Sequence, residues 1–139
     1  MRFQHEIAIA APPARVWAVY RDVERWPEWT ASVTEVTRLD HGPLRVGHRV
    51  RIRQPRLPTA VWTVTELVEG QHWTWTSGGR SARSVAHHRV APDGDGARAE
   101  LWVDLSGPLG VLVGKVIGGL TDRYLALEAE GLKDRAERG

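Results

Sequence analysis

Two side chains combine proton-transfer chemistry with an inward position on a predicted strand. His88 falls on the apolar side of its strand, and an imidazole titrating near neutrality can act as general acid or base. Glu66 falls in the same inward phase beside Trp73, where desolvation would raise its carboxyl pKa. Each has a plainer alternative. His88 can be a core histidine bonded to backbone, and Glu66 can end its strand in water at the rim. The expected hairpin register aligns Glu66 with Ser84, four residues from His88. At ~3.3 Å per residue that is about 13 Å, too far for an obvious acid/base couple.

The remaining polar groupings carry less chemistry. His87 and His88 are neighbours on a strand and point to opposite faces, so they cannot easily share one metal ion. His5 and His48 are both inward in phase, but no pair has a spacing such as His-x-x-x-His. Neither a metal nor a cofactor is expected. Gly78-Gly79-Arg80 and Asp93-Gly94-Asp95-Gly96 read as turns. A phosphate loop must join a strand to a helix, and a calcium loop needs flanking helices. No Gly-x-Ser-x-Gly elbow is present. The chain has 0 Cys, which removes thiol nucleophiles, disulfides and cysteine-bound metals. What remains is acid/base chemistry or pure binding.

The scaffold follows from composition and periodicity. The 139 residues favour a single domain, 1–139, and the 42% apolar and 26% charged content is that of a globular chain. Arg supplies all but Lys115 and Lys133 of the 19 basic residues, yet the net charge is only +2. The nearest basic stripe, Arg45, Arg49, Arg51, Arg53 and Arg56, is offset by acidic residues elsewhere, so no nucleic-acid partner is expected. Arg49, Arg51 and Arg53 alternate with Val50 and Ile52, as on a strand with one solvated face. The opening residues alternate polar and apolar rather than forming a secretory leader. The longest apolar stretch, Val111 to Leu120, contains Lys115 and is about half a membrane span. A soluble, cytoplasmic protein without an integral membrane segment is expected. The 7 Trp against 1 Phe are the unusual feature and make candidate walls around something.

Alternation predicts a strand over Phe3 to Ile9, and Pro12-Pro13 opens a short helix over Ala14 to Tyr20. Asp22 is the candidate N-cap of a second short helix that Pro27 would end. Strands are predicted at Val33 to Leu39, His48 to Gln54, Ala60 to Leu67, His72 to Ser77, Ala82 to Val90 and Ala97 to Leu105, separated by Gly- and Pro-rich turns. A long helix over Leu109 to Glu137 closes the chain. Consecutive strands on short turns imply an antiparallel sheet in an α+β fold.

Tight turns at Glu69-Gly70, at Gly78-Gly79 and at Asp93 to Gly96 would set Val64 opposite Trp75, Glu66 opposite Trp73, Trp73 opposite Ser84, and His88 opposite Leu101. Opposed residues share a face. One face then carries Trp62, Val64, Glu66, Trp73, Trp75, Ala82, Ser84, Ala86, His88, Val90, Ala99, Leu101, Val103 and Leu105. Val61, Leu67, Val85 and Trp102 are apolar exceptions on the other side, and Trp102 is the sharpest test of the register. Leu109, Leu112, Val113, Val116, Leu120, Leu127 and Leu132 recur at near-helical spacing and would lay the last helix over the apolar face. Its first half also holds Gly110, Gly114, Gly118 and Gly119. That implies a loosely specified segment, a close approach of ligand or backbone, or a loop before a helix starting near Ile117.

The chain resembles a known family. Ile7-Ala8-Ile9-Ala10-Ala11-Pro12-Pro13-Ala14-Arg15-Val16-Trp17 is similar to the i-x-a-x-a-x-x-V-W opening of the START-like, helix-grip (SRPBCC) superfamily. Asp22 with Trp26-Pro27-Glu28-Trp29 matches the D-x-x-x-W-P-x-W that follows there. Val46-Gly47, Trp62-Thr63-Val64-Thr65-Glu66 and the Trp73–Trp75 strand also fit, and the branch most resembled is the polyketide cyclase/dehydrase-like one. The resemblance covers nearly the whole chain and marks fold better than reaction. It implies a curved seven-stranded antiparallel sheet wrapped around a long C-terminal helix, with two short helices after strand 1 and an apolar cavity inside.

The leading expectation is therefore binding of a hydrophobic small molecule, an aromatic polyketide or lipid-like compound, between sheet and helix. Candidate ligand contacts are Trp62, Trp73, Trp75, Ser84, Ala86, Leu101, Val103, Val113, Val116 and Leu120. A polyketide cyclase or dehydratase is the enzymatic alternative, with His88 and Glu66 as its catalytic candidates. A third alternative is an interaction module, a homodimer formed through the Gly-rich start of the last helix or through Trp102; monomer and homodimer both remain open.

Overall fold

The computed structural model describes residues 1–139. Strand β1, Arg2–Ile9, leads into helix α1, Pro13–Arg21, and a 3-10 helix, Val23–Glu28. Five strands follow as β2 (Glu35–Arg38), β3 (Arg49–Arg53), β4 (Ala60–Val68), β5 (His72–Gly78) and β6 (Arg83–Asp93). Strand β7, Gly96–Ser106, and helix α2, Gly110–Arg138, complete the chain. The seven strands form one antiparallel sheet in the order β1-β7-β6-β5-β4-β3-β2. Pro12 precedes the first turn of α1 in extended conformation, as expected for proline at a helix start. Asp22 does not cap the next helix with its side chain; it pairs with Arg25 at 3.2 Å. Pro27 lies inside the 3-10 helix rather than ending it.

The hairpin arithmetic is met in one turn and corrected in two. The β6–β7 register places Val90 opposite Ala99 and His88 opposite Leu101, as the turn at Asp93 to Gly96 required. Between β5 and β6 the turn centres on Arg80-Ser81, closed by Gly79 N–H donating to Ala82 C=O at 3.1 Å. Gly78 precedes it with φ +92°, where a Cβ would strike the Ala82 carbonyl, so glycine is required there. Trp75 therefore faces Ala86, and Trp73 faces His88 instead of Ser84. The slip is even, so every side chain keeps its face. Between β4 and β5 a bulge separates Val64 from Glu66. It turns Glu66 opposite Thr74 and Leu67 opposite Trp73, so Glu66 moves to the outer face and Leu67 packs on the core.

The core lies between the concave sheet face, α1 with the 3-10 helix, and the second half of α2. Val16, Tyr20, Val64, Trp73, Ala99, Leu101 and Leu132 are fully buried in it. Helix α2 begins at Gly110, not near Ile117, and meets the sheet through its glycines. A Cβ on Gly118 would lie 3.0 Å from Phe3 Cζ, and one on Gly114 would clash with the Met1 sulfur. Several aliphatics at the start of this helix point outward instead. Val116 is 76% exposed, and Leu109, Val111 and Leu112 are exposed with it. The expected covering row holds at Leu132 but is out of phase in the first half of the helix, because glycine lets the helix approach closely where a larger residue would hold it away. No helix is long and apolar enough to cross a membrane.

Candidate ligand cavity

A cavity of about 130 Å³ lies between the sheet and α2. Trp62, Trp75, Ser84, Ala86, His88, Leu101, Val103 and Leu105 line it from the strands, with Trp26 from the 3-10 helix. Ile117, Thr121, Tyr124, Leu125 and Glu128 close it from α2. Gln54 and Leu57 reach it from the β3–β4 connection, which the Tyr124 hydroxyl ties to α2 by donating to the Pro55 carbonyl. The volume suits one small ring without any movement: a cavity of about 150 Å³ in another protein holds benzene.

Small and large residues on facing strands create the space. Ala86 and Ser84 on β6 stand beside Trp75 and Trp62, so the indoles form a wall and the small side chains leave the gap. Trp73 is fully buried but stands behind this wall. It stacks flat on His88, centroids 4.1 Å apart at 10°, and packs edge-on against Tyr20 at 4.9 Å. Trp17 and Trp26 pack onto the same cluster, at 5.7 Å and 6.2 Å from Trp73.

Of the residues expected to contact ligand, the structure brings Trp62, Trp75, Ser84, Ala86, Leu101 and Val103 to the cavity. Trp73 belongs to the packing behind it. Val113 and Leu120 are half-buried on α2 away from it, and Val116 faces solvent. Trp102 lies on the outer face as the register required, stacked on His87 at 4.6 Å, with the Arg2 guanidinium 6.0 Å above it.

His88 lines the cavity and is held in one protonation state. Its Nδ1 lies 3.2 Å from the Trp73 carbonyl, which can only accept, so Nδ1 carries the hydrogen. Burial lowers its pKa to about 3. His88 is thus neutral at physiological pH, with Nε2 an acceptor. In that state it offers a guest an acceptor rather than a proton. Glu66 is a correction to the expected inward position. Its side chain is 65% exposed on the outer face, 3.5 Å from His72, and the sheet separates it from His88. His48 lies between Arg38 and Arg45, at 2.7 and 3.1 Å, among donors rather than metal-binding partners.

The charged group that does reach the cavity is Glu128. Its carboxyl is buried on α2, and the Tyr20 hydroxyl donates to its Oε2, leaving Oε1 for a guest. Burial raises the carboxyl to about 7, against the lowering effect of the Tyr20 hydrogen bond. Tyr20 itself is held well above its ordinary value by burial and by the adjacent carboxylate, so it remains a donor. No lysine or arginine lines the cavity. The sequence did contain a signal for Glu128: an acid placed within the apolar stripe Leu125, Ala129, Leu132 and Ala136.

Comparison with known proteins agrees with this architecture. The family model described as "Polyketide cyclase / dehydrase and lipid transport" matches residues 1–137. A Streptomyces halstedii protein, whose name assigns it provisionally to the polyketide cyclases, is 33% identical over 113 residues, 79% of this chain and 93% of that protein. The Zhui aromatase/cyclase from a Streptomyces species superposes with a TM-score of 0.79 at 18% identity, covering 99% of this chain and 94% of that one. A Thermus thermophilus protein superposes with a TM-score of 0.77 at 21% identity, over 98% and 97% of the two chains. At those identities the two structures speak for the helix-grip fold alone. The family model and the Streptomyces halstedii relative speak for membership, and the chain belongs to the polyketide cyclase/dehydrase and lipid transport family.

Proposed function

We propose that the protein binds an uncharged, ring-bearing hydrophobic molecule of the aromatic polyketide class, with one ring seated between Trp62, Trp75 and Ala86 and the rest directed toward Leu57 and Tyr124. The observation that carries this reading is the indole-walled cavity between sheet and α2. Aromatic walls with a few polar groups are the usual make-up of a small-molecule site. Charge selects the ligand class. A carboxylate guest would lose its water in a cavity without a cation and would sit beside Glu128, whereas a phenol or ketone meets neither cost. The Streptomyces halstedii relative, named provisionally as a polyketide cyclase, supports polyketide chemistry, while the family description spans lipid transport as well.

The test uses one ring system with two head groups. Calorimetry should show saturable one-to-one binding of 2-naphthol and none of 2-naphthoate at neutral pH. Ala86→Phe, which fills the gap, should abolish 2-naphthol binding while the fold persists by circular dichroism. Equal binding of the two compounds, or unchanged binding in the filled variant, would overturn the reading. Catalysis in the same cavity is the second reading, favoured by one observation: Glu128 and Tyr20 form a buried carboxyl–hydroxyl pair at its wall.

A further inference from the structure

We propose that Glu128 is a proton-transfer residue acting on an enolisable ketone bound in the cavity, with Tyr20 as its positioning partner. The inference rests on the ligand-binding reading above. Three features of the site support it. The carboxyl lines the cavity, one oxygen is engaged by Tyr20, and the opposite wall is apolar and indole-rich. A buried carboxyl is costly, and a purely structural role could be filled by an amide. The Tyr20 hydroxyl fixes the carboxyl orientation from α1, and Trp73 and Trp26 pack against the Tyr20 ring at 4.9 and 5.5 Å, so the donor itself is immobile. The outer-face candidate, Glu66, has none of these features.

The chemistry is closed and needs no co-reactant. Ionised Glu128 takes a proton from the carbon adjacent to the ketone. The C–H electron pair becomes the new C=C bond, and the carbonyl pair moves onto oxygen as an enolate. Ser84 and Thr121 supply the hydroxyl donors lining the same cavity. Protonated Glu128 then returns a proton to the same carbon, and the ketone re-forms. If the bound molecule carries a second carbonyl within reach, the enolate carbon can attack it instead. Glu128 then supplies the proton to the new alkoxide, closing a ring. A carboxyl held near pH 7 suits both directions of transfer. His88 is neutral and donates from Nδ1 to the Trp73 carbonyl, so it contributes an acceptor at most.

The test is hydrogen–deuterium exchange at the α-carbons of 2-tetralone in D₂O, followed by proton NMR, with binding of the same ketone measured by calorimetry. The native protein should accelerate exchange by about 10²-fold or more over the Glu128→Gln variant, with ketone affinity retained in that variant. Tyr20→Phe should lower the maximal exchange rate and also move the midpoint of its pH profile upward, because the hydrogen bond that orients the Glu128 carboxyl and lowers its pKa is gone. A merely structural tyrosine would lower the rate at every pH without moving the midpoint. The other titratable side chains at this site are Tyr20 from α1, His88 from β6 and Tyr124 from α2. Tight binding with exchange no faster than in the Glu128→Gln variant overturns this inference and leaves the ligand-binding reading standing. Absence of binding overturns both.

Discussion

Replacing Glu128 by Gln should change the pH dependence of folding stability in a defined direction. Burial lifts the Glu128 carboxyl from 4.5 to about 7. Between those values the folded protein keeps a proton that the unfolded chain has released. The resulting stabilisation is fully present below about 4.5 and is lost as pH rises through about 7. The gap is worth about 3 kcal/mol at ~1.4 kcal/mol for each tenfold in proton affinity. His88 acts in the opposite sense. Its pKa falls from 6.5 to about 3, so its stabilisation is present above 6.5 and is lost as pH falls toward 3. Between about 4.5 and 6.5 the two slopes oppose each other and nearly cancel in the native protein. The Glu128→Gln variant keeps only the His88 slope. Urea denaturation of both proteins at pH 4.5, 5.5, 6.5 and 8 isolates Glu128, because the other groups drop out of the difference. From pH 4.5 to 8 that difference should move in favour of the variant by about 3 kcal/mol. A difference constant within about 0.5 kcal/mol at all four values would refute the reasoning, since a solvated carboxyl gives no such slope.

Three further substitutions test the placement of other residues. Gly131→Ala should destabilise by about 2 kcal/mol or more in thermal melts, because its Cβ would collide with the backbone carbonyl of Trp29, which cannot move aside cheaply. A smaller loss would mean that the backbone at Trp29, just after the 3-10 helix, yields at that contact. Val116→Ser should change stability by less than about 0.5 kcal/mol, since the side chain is 76% exposed; a loss above about 1 kcal/mol would show that this face is covered in solution. Tyr124→Phe removes the hydrogen bond tying α2 to Pro55, and stopped-flow binding of 2-naphthol should show association and dissociation both faster. Unchanged rates would place ligand access elsewhere.

Much of the scaffold was legible from local pattern. Strand alternation has a period of two, so the assignment of faces survived a slip of the β5–β6 turn from Gly78-Gly79 to Arg80-Ser81. Trp62, Trp75, Ser84 and Ala86 were placed on the cavity side for that reason. The bulge after Val64 was not legible. Nothing in Val64-Thr65-Glu66 distinguishes a bulged strand from a regular one, and the inserted residue reversed the phase of Glu66 and Leu67 together. The two apparent errors have a single cause.

The sequence by itself determined the element order, the antiparallel sheet, its two faces, and the absence of thiol chemistry. Each of these depends on residue type or on short-range periodicity. Tertiary structure decided which side of α2 faces the sheet, and it turned the acid within the apolar stripe of Leu125, Ala129, Leu132 and Ala136 toward the cavity. The apolar rows of α2 pointed to Val113, Val116 and Leu120, but Gly110, Gly114 and Gly118 turned inward against β1 and β7. Close backbone approach is a gain that no single helix displays on its own. Glu128 became the charged group of the cavity through Tyr20, 108 residues away in the chain, and through burial that only the packed helix and sheet provide. Its raised proton affinity is a property of that enclosure rather than of the glutamate itself.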